Sequence, residues 1–342
     1  MLKTALVGIG AMGRGHLDNL IRLKKENSEE IELVAVCDID ENKFKNVKIN
    51  FNLENIGTGD YDFSKFNCYT NADEMIAKEK LDLVLLAMPT YLHCEYTVKF
   101  LDKGINVFCE KPMAVNTAQC AQMIDAAKRN NKKLMIGHCL RFWGEYEVAK
   151  GIIDSGKYGK PVAGYFYRGG ETPVWSYNNW ILKRECGGGA LLDQHVHDVD
   201  TINYFFGMPK AVTTLGRTLI EGSSYDTVTT QYIYEDRKAV NAQDDWCLAY
   251  GGFSMVFRVN FENGSVAMGE KGFVAAARGE KPHTPEYDKE NAYYKEIKYF
   301  AECIANDKPV LINPPEDSMN TIKIVMAEIE SADKGGAIVE VK

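Results

Sequence analysis

Six residues near the start of the chain, Gly8-Ile9-Gly10-Ala11-Met12-Gly13, do most to limit the fold. They follow a short apolar run at 2–7 and precede a stretch at 12–25 with helical texture. In that setting Gly-x-Gly-x-x-Gly is the turn between the first strand and first helix of a dinucleotide-binding unit. Gly8 permits the tight turn, Gly10 lets the backbone approach a pyrophosphate, and Gly13 allows close helix–strand packing. Ala11 and Met12 open the helix, whose unpaired N–H groups and positive dipole end suit a phosphate. Asp38 closes the next strand-like run, 31–37, where an acid accepts hydrogen bonds from the adenosine ribose. A carboxylate there repels a 2′-phosphate, and Ile39 and Asp40 supply no arginine to hold one. NAD is therefore the expected cofactor, with NADP as the alternative.

The alternation continues. Strand-like runs at 81–87, 105–109 and 133–137 are separated by helical stretches at 73–80, 91–103 and 116–130. Gly104 is the expected C-cap of one helix and Asn116 the N-cap of another. Continuous apolar strands between amphipathic helices predict a parallel sheet covered on both faces. The segment 52–67 breaks the rhythm and reads as an insertion or long loop. Beyond residue 137 the texture changes. A helix is expected at 144–155, then strands at 161–167, 211–219, 227–233, 246–261 and 265–268, with a glycine-started helix at 187–206. Turns such as Glu262-Asn263-Gly264 point to an antiparallel or mixed sheet, one face of which is left for a subunit partner. Helices at 290–306 and 315–334 and a strand at 337–341 close the chain. The expectation is an α/β Rossmann domain over 1–125 and an α+β domain over 126–342 with a large, mainly antiparallel open sheet. The C-terminal helix is the element expected to pack back on the first domain.

Charge and cysteine usage narrow the function classes. A net charge of −8 repels a phosphate backbone, so nucleic acid is not an expected partner. The nine cysteines are scattered, odd in number and without a Cys-x-x-Cys pair. That pattern reads as reduced thiols in the cytoplasm. No secretion signal or membrane-spanning run is read from the sequence.

Two further motifs carry chemistry. Glu110-Lys111-Pro112 follows a strand, and ligands of open α/β sheets bind beyond the carboxyl ends of the strands. An ammonium at Lys111 can hydrogen-bond a substrate hydroxyl and stabilise negative charge developing on its oxygen. Glu110 is counted among the cofactor-binding residues, although its carboxylate could equally pair with a nearby cation or sit in a plain loop. Pro89, Thr90 and His93 lie at the end of another strand as cofactor contacts, or as an ordinary loop and helix cap. His16, inside the first helix, reads as a packing residue without chemistry.

In the second half, Gly187-Gly188-Gly189 starts a helix on which Asp193, His197 and Asp200 share one face. A carboxylate and an imidazole four apart make an acid/base pair, the imidazole taking a hydroxyl proton. His195 points elsewhere. No set of three or four converging ligands marks a metal site.

Together, Gly8–Gly13, Asp38, Pro89 to His93, Glu110-Lys111-Pro112 and the glycine stretch with Asp193 and His197 resemble the Gfo/Idh/MocA family. The resemblance implies hydride transfer between NAD and a secondary alcohol of a sugar, cyclitol or polyol. It implies Lys111, Asp193 and His197 as the catalytic trio, Arg141 near the active site, and a homodimer or homotetramer built on the second sheet. Trp175, Tyr177 and Trp180 offer faces on which a sugar could stack, or pack at a domain edge. His195, where the family often carries glycine, and the segment 52–67 are departures. Two other readings use the same residues: a glycoside-cleaving enzyme that uses NAD transiently, and a non-catalytic NAD-binding sensor.

Overall fold

The computed structural model describes residues 1–26, 30–45, 59–250 and 252–342. It divides into two compact units, the first made of Met1–Ala114, Ala118–Cys139 and Asn291–Glu316.

The first unit holds a six-stranded parallel sheet. Its strands are β1 (Leu2–Val7), β2 (Ile31–Cys37), β3 (Asn67–Tyr69), β4 (Leu83–Leu86), β5 (Asn106–Glu110) and β6 (Leu134–Gly137), in the order β3-β2-β1-β4-β5-β6. Every residue of β4, β5 and β6 is buried, so these strands carry apolar side chains on both faces. The helices are α1 (Ala11–Glu26), α2 (Ala72–Lys78), α3 (Thr90–Asp102) and α4 (Thr117–Arg129). Asn71 caps α2 by accepting from the N–H groups of Asp73 and Glu74, and Gly104 takes the left-handed conformation just after α3, as expected.

The first unit runs past the division expected at residue 125, because β6 pairs with β5 and completes the sheet. A helix from the far end of the sequence also belongs to it. Of the segment 52–67, residues 52–58 lie outside the described residues. The remainder is not wholly irregular: Tyr61 and Phe63 are buried, and Asn67 begins β3. The sequence hid β3 because it is short and largely exposed, with no apolar run.

The second unit comprises Val115–Thr117, Leu140–Glu290 and Asp317–Lys342. It contains α5 (Gly144–Ser155), β7 (Pro161–Gly169), α6 (Gly189–Asp193), α7 (Val196–Phe206), β8 (Ala211–Arg217), β9 (Thr227–Ile233), β10 (Ala239–Asp245), β11 (Ser254–Phe261), β12 (Gly264–Gly269) and β13 (Gly272–Ala277). The helix α8 (Ala292–Ala305) is the returning element of the first unit. After it, α9 (Pro315–Asp333) and β14 (Val339–Glu340) end the chain. The eight-stranded sheet has the order β13-β12-β11-β7-β10-β9-β8-β14, and only β10 and β7 pair in parallel. Its strands alternate. In β9, Val228, Thr230 and Tyr232 are buried while Thr229 and Gln231 are exposed, so one face of the sheet is covered. Under the covered face Tyr146, Phe166, Phe205 and Phe257 form a ring cluster, with Tyr146 and Phe257 centred 4.7 Å apart. Burying each such side chain stabilises the fold by about 1.5–3 kcal/mol.

Two sequence expectations change here. The strand expected at 246–261 is shorter: Trp246 lies just past β10, and β11 starts only at Ser254. The Trp246 indole donates to Asp226 at 2.9 Å and anchors the connection in the core. The single helix expected at 187–206 is broken at Gln194 and His195. Among the described residues, no helix is long and apolar enough to cross a membrane.

Candidate functional site

The glycine turn has the geometry of an anion cradle. Gly8 takes a φ of +90°, and a Cβ there would lie 2.4 Å from the Ala87 carbonyl oxygen. A Cβ on Gly13 would lie 1.8 Å from the Gly8 carbonyl oxygen. At Gly10, by contrast, nothing lies within 4 Å of the Cβ position. The turn is closed against the sheet and open at its middle glycine, which leaves room for a phosphate. Helix α1 begins directly behind with no acid in its first turn, so Ala11, Met12 and Gly13 offer N–H groups without intrahelical partners.

Asp38 stands at the carboxyl end of β2. Its Oδ2 accepts from the Ile9 N–H at 2.7 Å and its Oδ1 from the Asp40 N–H at 3.0 Å. These bonds fix the carboxylate beside the turn, and each oxygen keeps capacity for a ribose hydroxyl. The cradle and the acid thus fit a dinucleotide.

Lys111 follows β5 at the same edge of the sheet and is half-buried. Its peptide bond to Pro112 is cis. Behind it, Glu110 is 5% exposed and turns into the protein. Its Oε2 accepts from the Lys111 N–H at 3.1 Å, and its Oε1 lies 2.5 Å from His16 Nε2. Burial pushes the Glu110 carboxyl up, but the hydrogen bond from His16 and the charges of His16 and Lys111 outweigh it and hold it below its ordinary value. Gly137 leaves the space: a Cβ there would lie 3.3 Å from the Glu110 carboxyl. Glu110, placed by the sequence with the cofactor contacts, is an internal strut of the lysine turn. His16, read as packing alone, is its partner. The sequence carried no local signal for this pair, whose members lie 94 positions apart.

Thr90 and His93 are each 1% exposed. The His93 ring meets the carbonyl oxygens of Pro112 at 2.7 Å and Met88 at 2.9 Å. Burial lowers its pKa, against the two carbonyls and the Glu110 charge, which favour the charged ring. His93 therefore braces the loops after β4 and β5 through the backbone. Pro89, at the start of α3, is half-buried.

In the second unit the glycine start of α6 is docked on the sheet. Gly189 has a φ of +72°, a Cβ there would lie 2.8 Å from the Tyr225 carbonyl oxygen, and the Ala190 N–H donates to that oxygen at 2.9 Å. Asp193 ends α6 and His197 lies in the first turn of α7, both half-buried. The two residues between them are tied down. The Gln194 amide donates to Asp244 Oδ1 at 3.2 Å and to the Asp245 carbonyl at 3.0 Å. His195 is fully buried, with Nε2 3.2 Å from the Tyr232 hydroxyl and 3.5 Å from Glu328. Burial lowers the His195 pKa, but the charges of Glu328, Asp244 and Asp198 raise it to about 9. Asp198 accepts from Arg168 through both oxygens at 3.2 and 3.0 Å. The break in the helix is thus pinned, and Asp193 and His197 flank it. His195 is held by Tyr232 and Glu328, and the single helix on which its direction was read is interrupted there.

Arg141, which the resemblance implies near the active site, sits in an internal ion-pair cluster. It is 2% exposed, donates to both oxygens of Asp200 at 2.9 Å and to Asp317 at 2.9 Å, and lies over the Tyr204 ring. Its donors hold α7 and α9 together. Trp180 packs on the small cluster of Ile181, Ala190 and Trp246, while Trp175 is half-buried. Among the described residues, two buried clusters have metal-ligand spacing, His16–Glu110–Glu296 and His195–Asp198–Asp244, each with ligand atoms within 4.8 Å of one another. In the second, the Arg168 guanidinium already covers Asp198.

Comparison with known proteins follows the same division. Residues 2–138 match the oxidoreductase family GFO_IDH_MocA, NAD-binding Rossmann fold, and residues 146–267 match the GFO/IDH/MocA C-terminal domain. The chain is 30% identical over 213 residues to the 2,7-anhydro-N-acetylneuraminate hydratase of Mediterraneibacter gnavus, covering 62% of this chain and 51% of that one. It is 23% identical over 334 residues to the myo-inositol 2-dehydrogenase of Thermotoga maritima, covering 93% and 92%. The chain spans about half the length, 40% to 51%, of the first curated relatives it matches. In fold it resembles a levoglucosan dehydrogenase solved with NADH and levoglucosan, with a TM-score of 0.84 at 18% identity over 99% of each chain.

Proposed function

Because the chain belongs to the GFO/IDH/MocA oxidoreductase family, we propose that it moves a hydride between NAD and a secondary alcohol of a sugar, cyclitol or related polyol. One observation carries the reading: the open glycine cradle, the fixed Asp38 carboxylate and Lys111 share the carboxyl edge of one parallel sheet. The names of the inositol and levoglucosan dehydrogenases among its likenesses support the substrate class.

The chain's residues divide the work. The N–H groups of Ala11, Met12 and Gly13 hold the pyrophosphate, and Asp38 accepts from the ribose hydroxyls and disfavours a 2′-phosphate. NAD, when bound, supplies the hydride acceptor or, in the reverse direction, the donor. The Lys111 ammonium holds the substrate oxygen and stabilises its negative charge. In oxidation the hydroxyl proton passes from oxygen to a ring nitrogen of His197, the hydride leaves the carbon that bears that oxygen, and a carbonyl forms. Asp193 orients the substrate or the imidazole.

We read the uncovered face of the second sheet as the site of homodimer or homotetramer formation, which sedimentation velocity tests. Cytoplasmic residence is supported by the nine scattered cysteines, which include no Cys-x-x-Cys pair.

The test is NADH formation by purified protein with NAD or NADP and a panel of sugars, sugar acids, inositols and glycosides. NADH with one polyol class supports the reading. Product release without net NADH replaces it with transient oxidation. Nucleotide binding without any turnover replaces it with a sensor.

A further inference from the structure

The His16–Glu110 contact has a third member that the reaction above does not use. Glu296, on α8, is 0% exposed, and neither of its carboxyl oxygens has a hydrogen-bond partner. One of those oxygens lies within 4.8 Å of the facing atoms of His16 and Glu110. The three residues come from α1, β5 and α8, so the cluster joins the helix behind the glycine turn, the strand that Lys111 follows and the returning helix α8. His16 is wedged edge-on between the rings of Phe108 and Tyr293, at 5.5 and 6.2 Å.

An isolated carboxylate in such a place is costly, and a second negative charge beside Glu110 adds to the cost. The neutral acid avoids both penalties and gains a donor. That O–H can reach Glu110 directly after a small rotation or through one water.

We propose that His16, Glu110 and Glu296 form a buried hydrogen-bonded triad, with Glu296 kept as a neutral carboxylic acid, that positions Lys111 for the reaction. The inference rests on the reading of Lys111 as catalytic. Glu110 is the link: one oxygen receives His16 and the other receives the Lys111 N–H. Burial raises the Glu296 pKa well above the carboxylate range, and the Glu110 charge adds to the shift. The titratable groups facing Glu296 are His16 on α1, Glu110 on β5 and Tyr293 on α8 itself. The three are positioning residues: they act on substrate only through the turn that carries Lys111. Misplacing a reacting group by about 1 Å costs up to ~10²-fold in rate.

Two measurements test the triad. Isotope-edited infrared difference spectroscopy of the wild type against E296Q reads the protonated carboxyl directly and does not depend on turnover. The expected result is a carboxylic-acid band at neutral pH that is missing in E296Q. Kinetically, H16A and E296L should lower kcat by roughly 10- to 100-fold with the KM for NAD unchanged. H16Q and E296Q, which restore a donor toward Glu110, should recover most of that loss, and they carry the test where H16A or E296L does not fold. A carboxylate band alone overturns the proposal. So does an E296Q variant as impaired as E296L, or an equimolar divalent cation in the purified protein that E296Q loses. Wild-type turnover in K111A would sink the reading of Lys111 while leaving the infrared band in place, so the two failures are distinguishable.

Discussion

Nε2 of His16 lies 2.5 Å from Oε1 of Glu110, and this buried contact ties the helix behind the phosphate cradle to the turn that presents Lys111. The residue that would hold the substrate oxygen and the helix that would hold the coenzyme are thereby braced against each other inside one unit. Each residue flanking the contact serves the same end: Gly137 yields space, Phe108 and Tyr293 fix the ring, and Glu110 passes the constraint to the Lys111 backbone.

Nucleotide choice rests on Asp38. Removing its carboxylate in D38A should weaken NAD binding by roughly tenfold, about 1.4 kcal/mol, and narrow the gap between NAD and NADP. Because Asp38 also accepts from Ile9 and Asp40, D38N separates the two roles: it keeps an acceptor for the loop and removes the charge. Titration of both coenzymes by fluorescence reads the result. An unchanged NAD-to-NADP ratio in both variants would show that Asp38 does not discriminate.

The proton acceptor is the second point. H197A should lower kcat by about 10²–10⁴-fold and abolish the acidic limb of the kcat profile, with NAD affinity retained. K111A should lower kcat/KM with the limb intact. A steady-state pH series on the two variants separates a base from an electrostatic stabiliser, and a wild-type limb in H197A would assign the base elsewhere.

Stability should fall on the alkaline side. His195 has an ordinary pKa of 6.5 that the fold raises to about 9. A group with a raised folded-state pKa stabilises fully below its unfolded value, and the contribution disappears as pH rises through the folded value. Asp244, also raised by burial, acts with the same sign. The unfolding free energy should therefore drop between pH 6.5 and about 9, by an amount on the order of a few kcal/mol, and the drop should shrink in H195F. A flat profile in the wild type would mean that His195 is neutral in the fold.

Arg141 should prove structural. R141A leaves Asp200 buried and unpaired, and breaking such a pair costs about 3–5 kcal/mol. Urea denaturation should show the loss, while NADH affinity stays near wild type because the cradle is built wholly by the first unit. A wild-type midpoint with a raised substrate KM would return Arg141 to the substrate site.

Much of the fold was legible because its signals are local. Strand periodicity, the glycine turn and the acid after β2 depend on neighbours along the chain, and β1, β2, β5 and α5 lie within a residue of where the pattern put them. The short, largely exposed β3 and the break at Gln194 and His195 were not legible, since pairing and side-chain ties from distant strands create them.

By itself the sequence determined the glycine turn, the acid that closes the second strand and the family to which the chain belongs, because each is a matter of residue type at fixed spacing. Only the tertiary structure decided which polar groups face inward. Glu110, His93 and Arg141 look alike on paper as site residues, yet each is buried against a partner 10 or more positions away, and burial without a partner would cost more than the fold can spare. Linear order cannot state which two charges will share one dry interior; packing does.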